Sequence, residues 1–208
     1  MDVKAAEVLE LSPVVPVVAL DDAEQAVDLA RALVRGGIGT IEVTLRTPAG
    51  LPAIERIAAE VEDIVVGAGT ITEPGQAARA AGAGAGYLVT PGGTDRLLDD
   101  LDEVGLPYLA GISTVSEAMR LAERGVSAMK FFPAEASGGV PYLQSLSGPL
   151  PGLRFCPTGG IGPDNARDYL ALSNVGCVGG SWITPKRLLA AGDWGGVEAL
   201  AREAAALR

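Results

Sequence analysis

Lys130 stands in the middle of "SAMKFFPAE" (127–135), with Met129 before it and Phe131 and Phe132 after it, in a run that otherwise reads as a buried strand. Desolvation disfavours the charged form of an amine, so a lysine held among apolar and aromatic neighbours becomes a nucleophile suited to a Schiff base with a carbonyl substrate. The chain has three lysines, Lys4, Lys130 and Lys186, and only Lys130 falls inside a predicted strand. The same position also suits a structural lysine paired with a carboxylate, and the position alone does not separate the two.

A second stretch, "TIEVTLRTP", carries the complementary groups. Strand alternation puts Thr40, Glu42, Thr44 and Arg46 on one side and Ile41, Val43 and Leu45 on the other, so the polar face turns inward and the apolar face packs on helices. Glu42 near a lysine either neutralises it structurally or moves protons through a water. Arg46, nearer the strand's end, offers a planar fork for a substrate carboxylate, with an internal Glu42–Arg46 salt bridge as the structural alternative. Thr70 in "GAGT" and Pro91 in "VTPG" sit at further strand ends, as mouth-lining residues or as ordinary turn residues. Gly159-Gly160 in "CPTGGIGPDN" and Gly179-Gly180-Ser181 in "CVGGSW" close two late strands, where exposed backbone N–H groups can bind phosphate and where tight turns use the same residues. Lys186 follows as an exposed cation of a short helix.

These side chains need a scaffold, and eight short apolar runs supply strands: "VVPVVAL", "TIEVTL", "IVVGAGT", "GYLVTPG", "PYLAGIS", "SAMKFFP", "RFCPTGG" and "VGCVGGSW". Helical spacing fills the gaps, with Ala26, Ala30, Leu33 and Val34 on one face of the first helix and Ile54, Ile57, Ala58 and Val61 on one face of the second. Asp22 with Gln25 and Thr114 with Glu117 have capping-box spacing, and Thr47-Pro48 reads as a cap followed by proline in the first turn. Gly36, Gly82, Gly105 and Gly125 read as left-handed stops. Strands alternating with helices imply a parallel sheet, and eight units close into a (β/α)8 TIM barrel, with an open doubly wound sheet as the alternative. Ala5 to Leu11 reads as a short N-terminal helix closing the barrel's bottom.

The 208 residues suit one core, and no composition break divides them, so residues 1–208 read as a single domain. A formal charge of -10 argues against nucleic acid and favours a small soluble substrate. No apolar stretch is long enough to span a bilayer, and "MDVKAAEVLELSP" lacks the apolar region of a secretory signal, so a cytoplasmic protein with no membrane partner is expected. The absence of histidine removes Ser-His and Cys-His catalysis and the usual His-rich metal sites. Cys156 and Cys177 read as reduced core thiols rather than as a disulfide or metal ligands.

The motifs "IEVTLRT", "VGAGT", "GISTVSEAM", "KFFPAE", "GGV", "RFCPTGGI", "RDYLAL" and "GGSW" run in order over nearly the whole chain. In this the chain resembles the class I aldolases that split 2-keto-3-deoxy-6-phosphogluconate (KDPG), a family that includes 4-hydroxy-2-oxoglutarate (KHG) aldolases. The resemblance implies a (β/α)8 barrel, commonly a homotrimer, with neither metal nor organic cofactor. It implies Lys130 as the Schiff-base lysine, Glu42 as the proton shuttle, and Arg46 and Thr70 as holders of the pyruvate carboxylate. Pro91 and Phe132 match pocket walls, Thr158 a residue near the substrate hydroxyls, and Gly159, Gly160, Gly179, Gly180 and Ser181 the phosphate region. Gly162 departs from the serine that relatives often carry. A phosphate-binding barrel isomerase or synthase, in which Lys130 supplies charge only, is the alternative enzyme. A non-catalytic sugar-phosphate binder is the alternative outside catalysis.

Overall fold

A computed structural model describes residues 5–207 of the chain. Lys4, most of the first five residues of the "MDVKAAEVLELSP" start, and the last residue of the expected 1–208 domain lie outside that range.

Each of the eight apolar runs forms a strand, and one forms two. In chain order they are β1 (Val14–Val18), β2 (Thr40–Thr44), β3 (Val65–Gly69), β4 (Tyr87–Val89), β5 (Tyr108–Leu109), β6 (Gly111–Ile112), β7 (Ala128–Phe131), β8 (Arg154–Pro157) and β9 (Val178–Gly180). Every pairing is parallel. A six-stranded sheet runs β5-β4-β3-β2-β1-β9 and a three-stranded sheet runs β6-β7-β8. Ala110 alone separates β5 from β6, and single parallel bridges, Phe155 to Val175 and Thr158 to Gly179, join the β8 side to the β9 side. The fold is therefore α/β with a curled parallel sheet, as the alternation of strand and helix predicts.

Helices separate the strands: α1 (Ala5–Val8), α2 (Ala26–Arg35), α3 (Gly50–Glu60), α4 (Gln76–Gly82), α5 (Asp95–Val104), α6 (Val115–Glu123), α7 (Gly139–Leu146), α8 (Ala166–Leu170), α9 (Lys186–Ala191) and α10 (Trp194–Ala205). Strand alternation divides the apolar residues into two clusters. Ile41, Val43, Met129 and Phe131 pack with Leu33, Ile54 and Ile57 of the helix layer. Val15, Tyr87, Leu109, Ala128 and Cys156 point the other way and pack with Val8 and Leu9 of the N-terminal segment. Each fully buried side chain of this size stabilises by about 1.5–3 kcal/mol relative to exposure. Cys156 and Cys177 are both buried in the second cluster.

Several local expectations need correction. The N-terminal helix stops at Val8 instead of Leu11, where the chain tightens into i,i+3 bonds from Glu10 N to Glu7 O at 3.0 Å and from Leu11 N to Val8 O at 3.4 Å; the Ser12 hydroxyl donates to Leu11 O at 2.7 Å and accepts from Gly39 N at 3.0 Å. Val8 and Leu9 are nevertheless fully buried beneath the interior cluster. Asp22 caps only a 3-10 turn, accepting from Glu24 N at 2.9 Å, with no return bond from Gln25. Thr47 does not cap α3, since its hydroxyl donates to Leu20 O at 2.5 Å and the helix begins at Gly50. Gly105 and Gly125 are left-handed as predicted, but at the other two stops the left-handed residues are Gly37 and Gly84. Val34 is half-buried and Ala58 exposed, so each helix's apolar face is narrower than the spacing suggested.

Candidate active site

The direction of Lys130 follows from its neighbours. Ala128 belongs to the interior cluster while Met129 and Phe131 face the helices, so alternation along β7 aims Lys130 inward. There its Nζ donates to Glu42 Oε1 at 3.3 Å, with the two residues only 6% and 3% exposed. The ring centroid of Phe132 lies 5.3 Å from the same Nζ, within cation–π range. Lysine and glutamate are thus a pair, but one enclosed on the inner face of the sheet rather than turned towards the helices.

Glycine makes the room for them. A Cβ on Gly69 would lie 2.1 Å from Glu42 Oε1, and one on Gly111, the β6 partner of Lys130, would lie 2.2 Å from Pro91 O. Below, the ring of Tyr87 occupies the space a side chain at Gly67 would need. Its hydroxyl bonds Thr40 Oγ1 at 2.9 Å, and Thr40 donates onward to Val65 O at 3.0 Å, which leaves Tyr87 as donor. Burial pushes the Tyr87 hydroxyl well above the ordinary phenol range, so it stays neutral beneath Glu42.

Arg46 makes no salt bridge with Glu42 or with any other carboxylate among the described residues. Its Nε donates instead to Thr44 Oγ1 at 3.1 Å, and Thr44 in turn donates to Val18 O at 3.0 Å. The exposed guanidinium is left as an open anion contact on the wall of a cavity of about 600 Å³, shared with Ser181, Trp182 and Lys186. Lys130, Thr70, Pro91, Phe132, Thr158 and the Gly159-Gly160 turn are not among that cavity's walls.

Thr70 directly follows β3 with φ 60, the one non-glycine residue with positive φ among those described. A threonine held there is strained by about 1–3 kcal/mol, and such strain concentrates at functional sites. Thr158, 7% exposed, follows β8, and its Oγ1 lies where a Cβ on Gly179 would be, 2.2 Å away. Gly180 likewise leaves room for the ring of Trp182. Gly179 and Gly180 are therefore strand residues whose missing side chains admit neighbours. Gly159 and Gly160 differ, with φ 102 and 79, so that pair is a true left-handed turn. Its carbonyls are engaged: Ala134 N reaches Thr158 O at 2.8 Å, Glu135 N reaches Gly159 O at 3.1 Å and Asn165 Nδ2 reaches Gly160 O at 3.1 Å. The Thr158–Gly179 bridge turns the Gly159 N–H towards Gly179 O, while the N–H groups of Gly160 and Ile161 have no protein acceptor among the described residues, and consecutive amides left this way form an anion nest.

The sequence model of the KDPG and KHG aldolase family matches residues 5–200. The chain belongs to this family. It is 51% identical to a 2-dehydro-3-deoxy-phosphogluconate aldolase of Dickeya dadantii, over 97% of this chain and 95% of that one. Among solved structures it is similar to a KDPG aldolase of Legionella pneumophila holding pyruvate as a covalent carbinolamine, with TM-score 0.96, 40% identity and coverage of 99% and 100% of the two chains. It is also similar to the Zymomonas mobilis KDPG aldolase with 3-phosphoglycerate, with TM-score 0.91, 40% identity and coverage of 98% and 96%.

For a KDPG and KHG aldolase family member, seven of the predicted residues fall into three neighbourhoods, while no hydrogen bond or ion pair joins Thr70, Pro91 or the Gly159-Gly160 turn to the Lys130–Glu42 pair among the described residues. Lys130, Glu42 and Phe132 are in contact, Arg46 and Ser181 share the open cavity, and Thr158 stands beside Gly179 at the β8–β9 junction. Sequence reasoning put Thr44 on the polar face without a role, where it proves to accept from Arg46 Nε, and missed Asn165, whose Oδ1 accepts from Gly162 N at 2.9 Å while its Nδ2 holds Gly160 O. The signal for Asn165 lay in the "GPDN" turn, where asparagine often bonds nearby backbone. Among the described residues no three Cys, Asp or Glu side chains cluster to hold a metal, and no helix is long and apolar enough to cross a membrane.

Proposed function

We propose that this protein is a Schiff-base aldolase that reversibly cleaves KDPG to pyruvate and glyceraldehyde 3-phosphate, and that it also accepts KHG, giving pyruvate and glyoxylate. The observation that carries the reading is the enclosed contact of Lys130 Nζ with Glu42 Oε1 at 3.3 Å, in a chain of this family.

Lys130, once its proton passes to Glu42, attacks the C2 ketone and forms a carbinolamine. Glu42 returns that proton to the carbinolamine hydroxyl, which leaves as water and gives an iminium, and Glu42 is a carboxylate again. Glu42 then takes the C4 hydroxyl proton as the C3–C4 bond breaks, and the iminium nitrogen receives the electron pair, leaving an enamine and a free aldehyde. Protonation at C3 and hydrolysis release pyruvate and restore the amine. In this reading Arg46 and Thr70 hold the carboxylate, Pro91 and Phe132 wall the pyruvate half, and Thr158 meets the sugar hydroxyls. The Gly159-Gly160 turn, with Gly179, Gly180 and Ser181, holds the phosphate. The free guanidinium of Arg46, the strained Thr70 and the two unaccepted amides of Gly160 and Ile161 support these assignments.

The same reading takes the two sheets as one eight-stranded (β/α)8 barrel, with β5 and β6 as halves of one strand and the β8–β9 bridges as its closure. It takes the chain as one domain, cytoplasmic, and a homotrimer on the family resemblance, for which Val115 and Met119 of α6 offer an exposed apolar pair. Light scattering reads the assembly against the 21.1 kDa chain.

The chemical test is mass spectrometry after incubation with pyruvate and borohydride, beside Lys130→Ala. A reduced pyruvate adduct on Lys130, absent from the variant, is expected. Absence of an adduct despite bound pyruvate would overturn the imine mechanism in favour of a charge-only lysine.

A further inference from the structure

The side chain of Glu135 packs against the Gly159-Gly160 turn. A Cβ on Gly160 would lie 2.6 Å from its Cγ, and its backbone N–H is the donor to Gly159 O at 3.1 Å. A negative group here is unexpected, because the turn presents two open amides suited to an anion, those of Gly160 and Ile161, and a like charge nearby disfavours that anion. Something must keep the carboxylate aside.

That group is Tyr169 of α8. It is fully buried, and its hydroxyl donates to Glu135 Oε1. Gly139, at φ 59, leaves the space for this contact, since a Cβ there would lie 3.3 Å from both Glu135 Oε1 and the Tyr169 hydroxyl. Burial first, and then Glu135, raise the Tyr169 hydroxyl above the ordinary phenol range, so it remains a donor throughout the working pH range. The contact spans two βα units, tying the segment after β7 to the helix after β8 behind the turn.

We propose that Tyr169 is a positioning residue for the phosphate end of the substrate: by pinning Glu135 behind the Gly159-Gly160 turn it keeps the carboxylate away from the anion and holds the turn's amides outward. The proposal rests on the aldolase reading for its substrate and names two residues which that reading does not use.

The test compares the wild-type protein with Tyr169→Phe, Glu135→Gln and the double variant. Substrates are KDPG, its unphosphorylated analogue 2-keto-3-deoxygluconate, and pyruvate alone, followed by exchange of its methyl protons. Loss of a hydrogen bond to a charged group predicts a rise of about tenfold in KM for KDPG in Tyr169→Phe. Meanwhile kcat, KM for the unphosphorylated analogue and methyl exchange stay within about twofold. With Glu135→Gln added, the amide no longer repels phosphate, and KM for KDPG returns to within about twofold of wild type. A structural role alone would lower kcat, exchange and the analogue's rate together, and no double-variant rescue would follow.

Calorimetric binding of glycerol 3-phosphate is measured on the same four proteins, so the phosphate site is read without catalysis. Weaker binding in Tyr169→Phe, restored in the double variant, supports the proposal. Unchanged binding and unchanged KM overturn it, as does weakening that Glu135→Gln fails to relieve. If the wild type neither cleaves KDPG nor exchanges pyruvate protons, the aldolase reading has failed, and the glycerol phosphate comparison still decides the role of Tyr169.

Discussion

Glu42 owes its position to an atom that is missing. Its carboxylate occupies the volume where a side chain at residue 69 would stand, 2.1 Å from that absent Cβ. Gly69→Ala therefore pushes Glu42 from Lys130 while leaving the lysine's own strand untouched. Because proton transfer by a positioned side chain contributes about 10²–10⁴-fold, KDPG cleavage is expected to fall by roughly a hundredfold. Borohydride trapping of pyruvate on Lys130 should persist at long incubation, since that step needs the amine. Cleavage at the wild-type rate would mean that the carboxylate has room to spare. Lys130, Glu42 and Arg46 were legible because one charge in a strand of apolar residues is conspicuous and alternation settles its face. Gly69 was not, because its reason lies in a contact from β2, 27 positions away in the chain by the difference of the two residue numbers. Glu135 and Tyr169 were hidden likewise, 34 residues apart and joined only once two βα units pack.

At the scale of elements, strand runs were readable because parallel strands buried on both faces need continuous apolar residues, whereas helix ends depend on where the next strand docks. Gly36 is an example: its missing side chain admits Ala201 of α10, whose Cβ would sit 2.4 Å from a Cβ at 36, so the left-handed stop moves to Gly37. Thr114 and Glu117 form their cap as read, because both partners lie within one turn of chain. Burial alone would raise the Glu117 carboxyl, but N–H groups of Ser113 and Thr114, at 2.8 Å each, and their hydroxyls hold it below its usual value. A depressed folded value means that the cap stabilises above the unfolded carboxyl's titration, about pH 4.3, and loses this as pH falls through the lower folded value. Glu117→Gln should accordingly lower Tm at neutral pH, with the deficit shrinking as pH falls through the lower folded value, below which both proteins carry an uncharged group. Melting followed by circular dichroism across that range checks it; a deficit independent of pH would assign the effect to packing.

For the whole molecule, the interior arrangement sets function against stability. The lower interior is apolar and close-packed around Tyr87, Val89 and Leu109, while the upper interior holds an ammonium–carboxylate pair with side chains 7% and 4% exposed, framed by glycines. Desolvation of such a pair offsets most of its attraction, so the pair adds little to folding although each partner depends strongly on the other. Lys130→Met leaves the Glu42 carboxylate buried without its cation and should cost about 3–5 kcal/mol. For a chain of this length that is a fall in Tm on the order of 10 °C. Lys130→Met with Glu42→Leu removes both charges, and its Tm should return to the wild-type value or exceed it, with cleavage abolished in both proteins. Thermal melts of the three proteins at pH 7 decide the matter. A single variant as stable as wild type would mean that water reaches the pair in solution, and the reason for enclosing the lysine would then lie in substrate fit rather than in the chemistry of a dry amine.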